Sequence, residues 1–238
     1  MTHSTSLHGL TVLDIGCGTG GVAISSAAMG GYVVALDPDI RRLSVARVWA
    51  KALSNEVNLV RASALHLPFI QSAFKIIFLI DILEHVKNQI RAIEETVRAL
   101  SPEGRILIKM GNRLFPYEPH LKMFFASYFP NCLVNAIAVR RKIFSVYYSS
   151  YSDIHLLTYP QLNSLLRTAN LEYTAYPYMA FFPGAPYKEI PLAIKLPRFL
   201  HRLLLWFDNW IIVCKIRKRE IIPHKINCAK RPYAVWVM

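Results

Sequence analysis

Residues Val12–Gly21 run Val-Leu-Asp-Ile-Gly-Cys-Gly-Thr-Gly-Gly, and this segment leaves the chain few folds to choose from. A short apolar run, Thr11–Ile15, ends abruptly in glycines, which can take positive φ and bring backbone close to a ligand. Val22–Met29 then reads as a helix of small residues, and its first amides are free to face a bound group. A strand that turns so tightly into a helix opens a β-α-β unit.

The same rhythm continues for about a hundred residues. Tyr32–Leu36 reads as a strand, Ile40–Leu53 as a helix, Val57–Arg61 as a third strand and Phe74–Ile80 as a fully apolar fourth. Asn88–Leu100 is a charged helix, Pro102–Gly104 breaks the chain, and Arg105–Met110 is a fifth strand. Strands separated by helices pair in parallel through right-handed crossovers. The expected fold class is α/β, a Rossmann-like, doubly wound, mostly parallel sheet of about seven strands. After Asn112 the rhythm breaks, and 113–158 is an aromatic, basic insertion without a clear period. Tyr159–Ala169 reads as a helix with Thr158 as N-cap, and Leu171–Ala180 and Pro232–Met238 as further strands. A second insertion, 182–231, precedes the last strand and carries an expected amphipathic helix, Leu196–Cys214. We therefore expect one domain over 1–238, with its ligand-binding core at 8–112.

Composition narrows the classes further. With 53% hydrophobic and 18% charged residues, global disorder is excluded. Cysteines 17, 132, 214 and 228 form no CxxC pair, which argues against a zinc ribbon or disulfide scaffold and suits a reducing compartment. The first residues carry no apolar run and no stretch is long enough to span a bilayer, so a cytoplasmic location is expected. Residues 1–112 carry a net charge of +2 and residues 113–238 carry +11. A basic, aromatic-rich half points to an anionic partner such as a membrane surface, a nucleic acid or an acidic substrate.

Gly16, Gly18 and Gly21 also satisfy the dinucleotide pattern G-x-G-x-x-G, with Asp37 ending the second strand. Three further features point elsewhere. Asp14 extends the glycines to D-x-G-x-G-x-G, Ser63-Ala64-Leu65-His66-Leu67-Pro68-Phe69 follows the third strand, and Asp81-Ile82-Leu83-Glu84-His85-Val86 follows the fourth. In this order and spacing the segments resemble the class I S-adenosylmethionine-dependent methyltransferases, among them the quinone O-methyltransferases, over about residues 8–112.

The resemblance implies S-adenosylmethionine as cofactor and assigns roles. Gly16, Gly18 and Gly20 would lie under its methionine and ribose, with Asp14 fixing the loop or the amino group. Asp37 would accept both ribose hydroxyls. Ser63, Ala64 and Leu65 would edge the adenine, and Ile80 and Asp81 would line the floor. The sequence departs from the family in Ser63, where Asp is usual, in Lys75, and in having only about ten residues before the first strand. The site is therefore expected to be open, or closed by the later insertion.

Methyl transfer is an in-line displacement, in which the protein supplies alignment and, for a high-pKa acceptor, a base. His85 is the first candidate base, with Glu84 to orient it; His120, Glu118 and Arg113, after the fifth strand, are further candidates. Asp81, Glu84 and His85 repeat the carboxylate–carboxylate–His spacing of metal-using relatives, but no second His is placed by sequence, and no metal site is assigned. The basic half suggests contact with an anionic membrane surface through 196–219. The expected activity is methylation, on oxygen, of a hydrophobic lipid- or quinone-like molecule. An RNA methyltransferase and a non-catalytic cofactor-binding scaffold are the rivals; no RNA-binding motif supports the first, and oligomeric state is left open.

Overall fold

A computed structural model describes residues 6–142, 150–178 and 209–216. The first half holds strands β1 (Thr11–Ile15), β2 (Tyr32–Asp37), β3 (Val57–Arg61), β4 (Phe74–Ile80) and β5 (Leu100–Met110). Helices α1 (Gly21–Ala28), α2 (Ile40–Ala52) and α3 (Gln89–Ala99) connect them. Then come the short strands β6 (Tyr117–Glu118) and β7 (Met123–Phe124), helices α4 (Asn131–Arg140) and α5 (Tyr159–Thr168), and strands β8 (Leu171–Tyr178) and β9 (Asn209–Ile216).

The main sheet has seven strands in the order β3-β2-β1-β4-β5-β9-β8. β1 to β5 are parallel, whereas β9 runs antiparallel to both β5 and β8. This is the expected α/β class. The winding reverses between β1 and β4, so the crevice beyond their C-terminal ends is where a ligand belongs.

Alternation along β1 explains the two layers, because successive side chains leave a strand on opposite faces. Leu13 and Ile15 enter a core with Ile77, Leu79, Ile93, Leu162 and Leu166. Val12 enters another with Ala23, Val33, Ala35 and Leu43. Fully burying side chains such as Ile77 and Leu79 is worth about 1.5–3 kcal/mol each. The 113–158 insertion has its own small core of Leu121, Met123, Ala126, Val134, Ala138, Tyr151 and Ile154.

Thr158 starts α5 as expected, its amide donating to Gln161 Oε1 at 2.8 Å. The expected helix Leu196–Cys214 is corrected over its last part. Residues 209–216 form β9, in which Ile212 and Cys214 are fully buried and Lys215 is exposed. The run Trp210-Ile211-Ile212-Val213-Cys214 is apolar and rich in β-branched residues, as suits a strand enclosed between two neighbours. Helical spacing and a continuous apolar run look alike over so few residues. The place between β5 and β8 is thus filled without Pro232–Met238, which lies outside the described residues, as does the rest of 182–231.

Candidate active site

The glycine turn is shaped by two different needs. Gly16 (φ +71°) has no room for a side chain, since a Cβ there would meet Ile82 Cδ1 at 2.6 Å. Gly20 (φ +89°) is similarly closed by Ala46, 2.9 Å away. Gly18 (φ +55°) faces open space, with nothing within 4 Å of its would-be Cβ. The first and third glycines let the turn pack on the Ile82 loop and on α2, and the second leaves a cradle.

Asp37 braces that cradle. Its Oδ2 accepts from the Gly18 amide at 3.0 Å and its Oδ1 from the Asp39 amide at 2.8 Å, while Arg42 stands 3.8 Å from Oδ2. A carboxylate has about four lone-pair sites, so capacity remains for ligand hydroxyls. Asp14 is buried, and burial pushes its carboxyl up to about 7, with nearby Asp37 adding to the rise. Its Oδ2 has no hydrogen-bond partner. An open cradle, a braced carboxylate and a buried orphan oxygen fit a polar, partly cationic ligand such as S-adenosylmethionine.

The Ser63–Phe69 loop forms the next wall. Ser63 Oγ accepts from the Leu65 amide at 3.2 Å, Ala64 is buried, and Leu65 is partly buried. A clamp from α3, which no sequence motif announces, fixes this loop. Glu95 accepts from the Leu67 amide at 3.0 Å; Arg98 donates to the carbonyls of Leu67 and Phe69; Arg91 donates to that of Leu65. Arg91 and Arg98 stand four residues before and three after Glu95, a spacing that signals ion pairs on one helix face but not a loop clamp. Ile80 ends β4 as expected. Asp81, next to it, has φ +52° and pairs with Lys109 of β5 at 2.6 Å. Lys109 is brought beside Asp81 by the β4–β5 register, which local spacing does not reveal.

The catalytic candidates come together. A single turn of 3₁₀ helix, Leu83–His85, follows β4, and the loop after β5 returns to it. Glu84, His85 and His120 place one ligand atom each within 4.8 Å of one another, and the two imidazoles pack edge to face at 5.0 Å. The missing second His is therefore His120, 35 residues beyond His85 and invisible to local spacing. Glu84 is buried, which pushes its carboxyl up to about 7, and Oε2 has no partner. His85 keeps solvent contact, yet desolvation and then the neighbouring His120 hold its pKa below the ordinary value. Burial acts to lower the His120 pKa, but the Glu118 carboxylate, 2.6 Å from Nδ1, outweighs it and leaves that pKa above the ordinary value. Glu118 is itself buried with Oε2 unpartnered. Arg113 stands apart from this trio, its amide bonded to the Leu157 carbonyl at 2.9 Å.

The strand order, the glycine cradle at the β1–β4 switch point and the acid ending β2 make a Rossmann-like, doubly wound core similar to that of S-adenosylmethionine-dependent methyltransferases of known structure. Residues 13–108 match the family described as methyltransferase domain. The chain is 30% identical over 122 residues to a demethylmenaquinone methyltransferase of Lactobacillus johnsonii, covering 49% of each chain. It is also 30% identical over 114 residues to a ubiquinone biosynthesis O-methyltransferase of Aliivibrio fischeri, covering 48% of this chain and 49% of that one. The chain thus spans about half the length of these curated relatives. Among solved structures, an S-adenosylmethionine-dependent methyltransferase from Mesorhizobium loti superposes with a TM-score of 0.58 at 15% identity, covering 88% of this chain and 92% of that one.

Proposed function

We propose that this protein transfers the methyl group of S-adenosylmethionine to an oxygen of a hydrophobic, quinone-like small molecule. The observation that carries the reading is the convergence of Glu84, His85 and His120 beside the glycine cradle, with Gly16 packed against Ile82 of the same loop. The bound cofactor supplies an electrophilic methyl carbon on a sulfonium. Everything else is asked of the chain.

Asp37, braced by the Gly18 amide, holds the polar part of the cofactor, and the unpartnered Asp14 oxygen offers a further acceptor. His85, its proton affinity lowered by desolvation and by His120, is neutral at pH 7 and able to take the acceptor's hydroxyl proton. Glu118 fixes the His120 ring through Nδ1. The curated relatives named above act on quinone precursors by name, which supports the acceptor class.

One observation favours a second route to the same product. Two imidazoles and a carboxylate are a donor set for a divalent ion, which could lower the hydroxyl pKa in place of the His85 base. Turnover abolished by EDTA and restored by magnesium selects this route; turnover indifferent to EDTA selects His85 as base.

For the surface that meets a hydrophobic acceptor, exposed aromatics favour the insertion. Phe124, Phe125, Tyr128 and Phe129 are each half-exposed or more, and Leu133 continues them on α4. Basic Arg140, Arg141 and Lys142 end that helix. We place membrane contact here in preference to 196–219, whose helical face is lost at β9. Among the described residues no helix is long and apolar enough to cross a membrane.

The test is incubation with methyl-labelled cofactor and fractionated lipid, cytosolic and RNA extracts. Label in an organic-soluble phenolic product is expected. Label in RNA, or cofactor binding without any transfer, would replace the proposal by one of its rivals.

A further inference from the structure

A cavity of about 360 Å³ lies beside the Glu84 turn, within the range of small-molecule sites. Four separate stretches of chain build it: Lys87 and Gln89 at the start of α3, Arg113 after β5, Asn131 at the start of α4, and Tyr151 with Ile154–Leu157. Asn112 bridges to Leu157, and the Arg113 amide bonds to the Leu157 carbonyl at 2.9 Å, closing one side. Gln89 Nε2 donates to the carbonyls of Leu83 and His155, both at 2.8 Å, and the His155 amide donates to the Glu84 carbonyl at 2.6 Å. The wall of the cavity is thereby bonded directly to the turn that carries Glu84 and His85.

The lining has one electrostatic character. It holds Lys87 and Arg113, and no Asp or Glu. Among the described residues neither cation forms an ion pair, although this chain pairs Lys109 with Asp81, Arg98 with Glu95 and Lys215 with Glu172. Asn131 opens the ten-residue α4 without a side-chain cap, so the positive end of that helix adds to the same field. His155, also in the lining, keeps its Nε2 buried behind the cavity surface without a hydrogen-bond partner. Ile154, Leu156 and Leu157 supply apolar surface beside these polar groups.

We propose that this cavity is a subsite for an anionic group, a carboxylate or a phosphate, carried by the apolar methyl acceptor and held by Lys87 and Arg113. The inference rests on the methyl-transfer reading for the word acceptor, but the anion site itself does not. It divides the acceptor into a charged end in this cavity and a hydroxyl at Glu84, His85 and His120. Among hydrophobic phenols, it selects those with an acidic substituent.

Calorimetry on the full chain without cofactor tests it, using benzoate, phenyl phosphate and neutral benzyl alcohol as probes. At least one anionic probe should bind about ten- to a hundred-fold more tightly than the alcohol, as one or two charge-assisted hydrogen bonds allow. Whichever anion is preferred identifies the acceptor's charged group. Lys87→Gln and Arg113→Gln should each remove most of that preference, with thermal melts as the control for folding. Should Arg113→Gln unfold, the exposed Lys87→Gln decides alone. Equal binding of charged and neutral probes, or a preference untouched by Lys87→Gln, overturns the proposal. Cofactor affinity, titrated in parallel on wild-type protein, separates the two readings: its absence would defeat methyl transfer and leave the anion result standing.

Discussion

In the β1–β5 half of the molecule, functional groups sit at strand ends. Asp37 is the last residue of β2, Asp81 follows β4 directly, and the glycine cradle follows β1. In the other half, His120 and His155 lie on irregular segments placed by a few hydrogen bonds, Glu118 to His120 within one turn and His155 to Glu84 between two loops. Strand ends are fixed by the whole sheet, so the first set is rigid wherever the fold exists. Loop-held groups depend on a few polar contacts, and they can change while the strand-end groups stay the same. The first set is thus given by the fold, and the second by contacts particular to this chain.

The comparison can be broken at several points. The largest effect is expected from Ile212→Asp, which buries a charge in the middle of β9 and should cost on the order of 5 kcal/mol or more, measured by urea unfolding. A stable variant would show that this segment is not a central strand. Next, His85→Ala should lower turnover about 10²–10⁴-fold with cofactor affinity nearly intact. Lost folding instead would give His85 a structural role.

Asp14 sharpens the contrast through pH. Its carboxyl titrates near 7 in the folded chain against an ordinary 3.8, so between those values the folded state holds a proton that the unfolded state has released. Stability from this group is complete below about pH 4 and declines as pH rises to about 7, by at most about 1.4 kcal/mol for each pH step of one crossed in that window. Asp14→Asn should therefore gain melting temperature over wild type at pH 8 and show little gain at pH 4; an equal difference at both would remove the buried proton from the account. Asp37→Ala should weaken S-adenosylmethionine binding by roughly 1.5–3 kcal/mol in calorimetry, the range for hydrogen bonds to a charged group. The smallest effect is expected at the exposed Glu172–Lys215 pair, where Glu172→Ala should change stability by about 0–1 kcal/mol in thermal melts.

What is readable in the sequence follows the reach of the physical signal. The glycines at 16, 18 and 20, Asp37 and the turn at Asp81–His85 are legible because each lies within a few residues of an apolar strand whose period marks it. Glu84 and His85 stand out for the same reason. The clamp of Glu95, Arg91 and Arg98 on the Ser63–Phe69 loop does not, since it joins residues about 30 positions apart through backbone groups that no side-chain pattern reports. The pairing of His120 with His85 and the cavity at Lys87, Arg113 and His155 are hidden likewise.

The parallel core and the glycine turn at its switch point were legible in the sequence alone. Hydrophobic period, glycine placement and strand-end acids are local, and each leaves little choice of backbone. Tertiary structure decided β9, because Trp210–Cys214 suits a buried strand or a helix equally until β5 and β8 offer it hydrogen-bonding edges on both sides. It also decided the second histidine and the cations gathered in the neighbouring cavity. Those are matters of which loops meet, and the free energy that brings them together comes from contacts far apart in the chain.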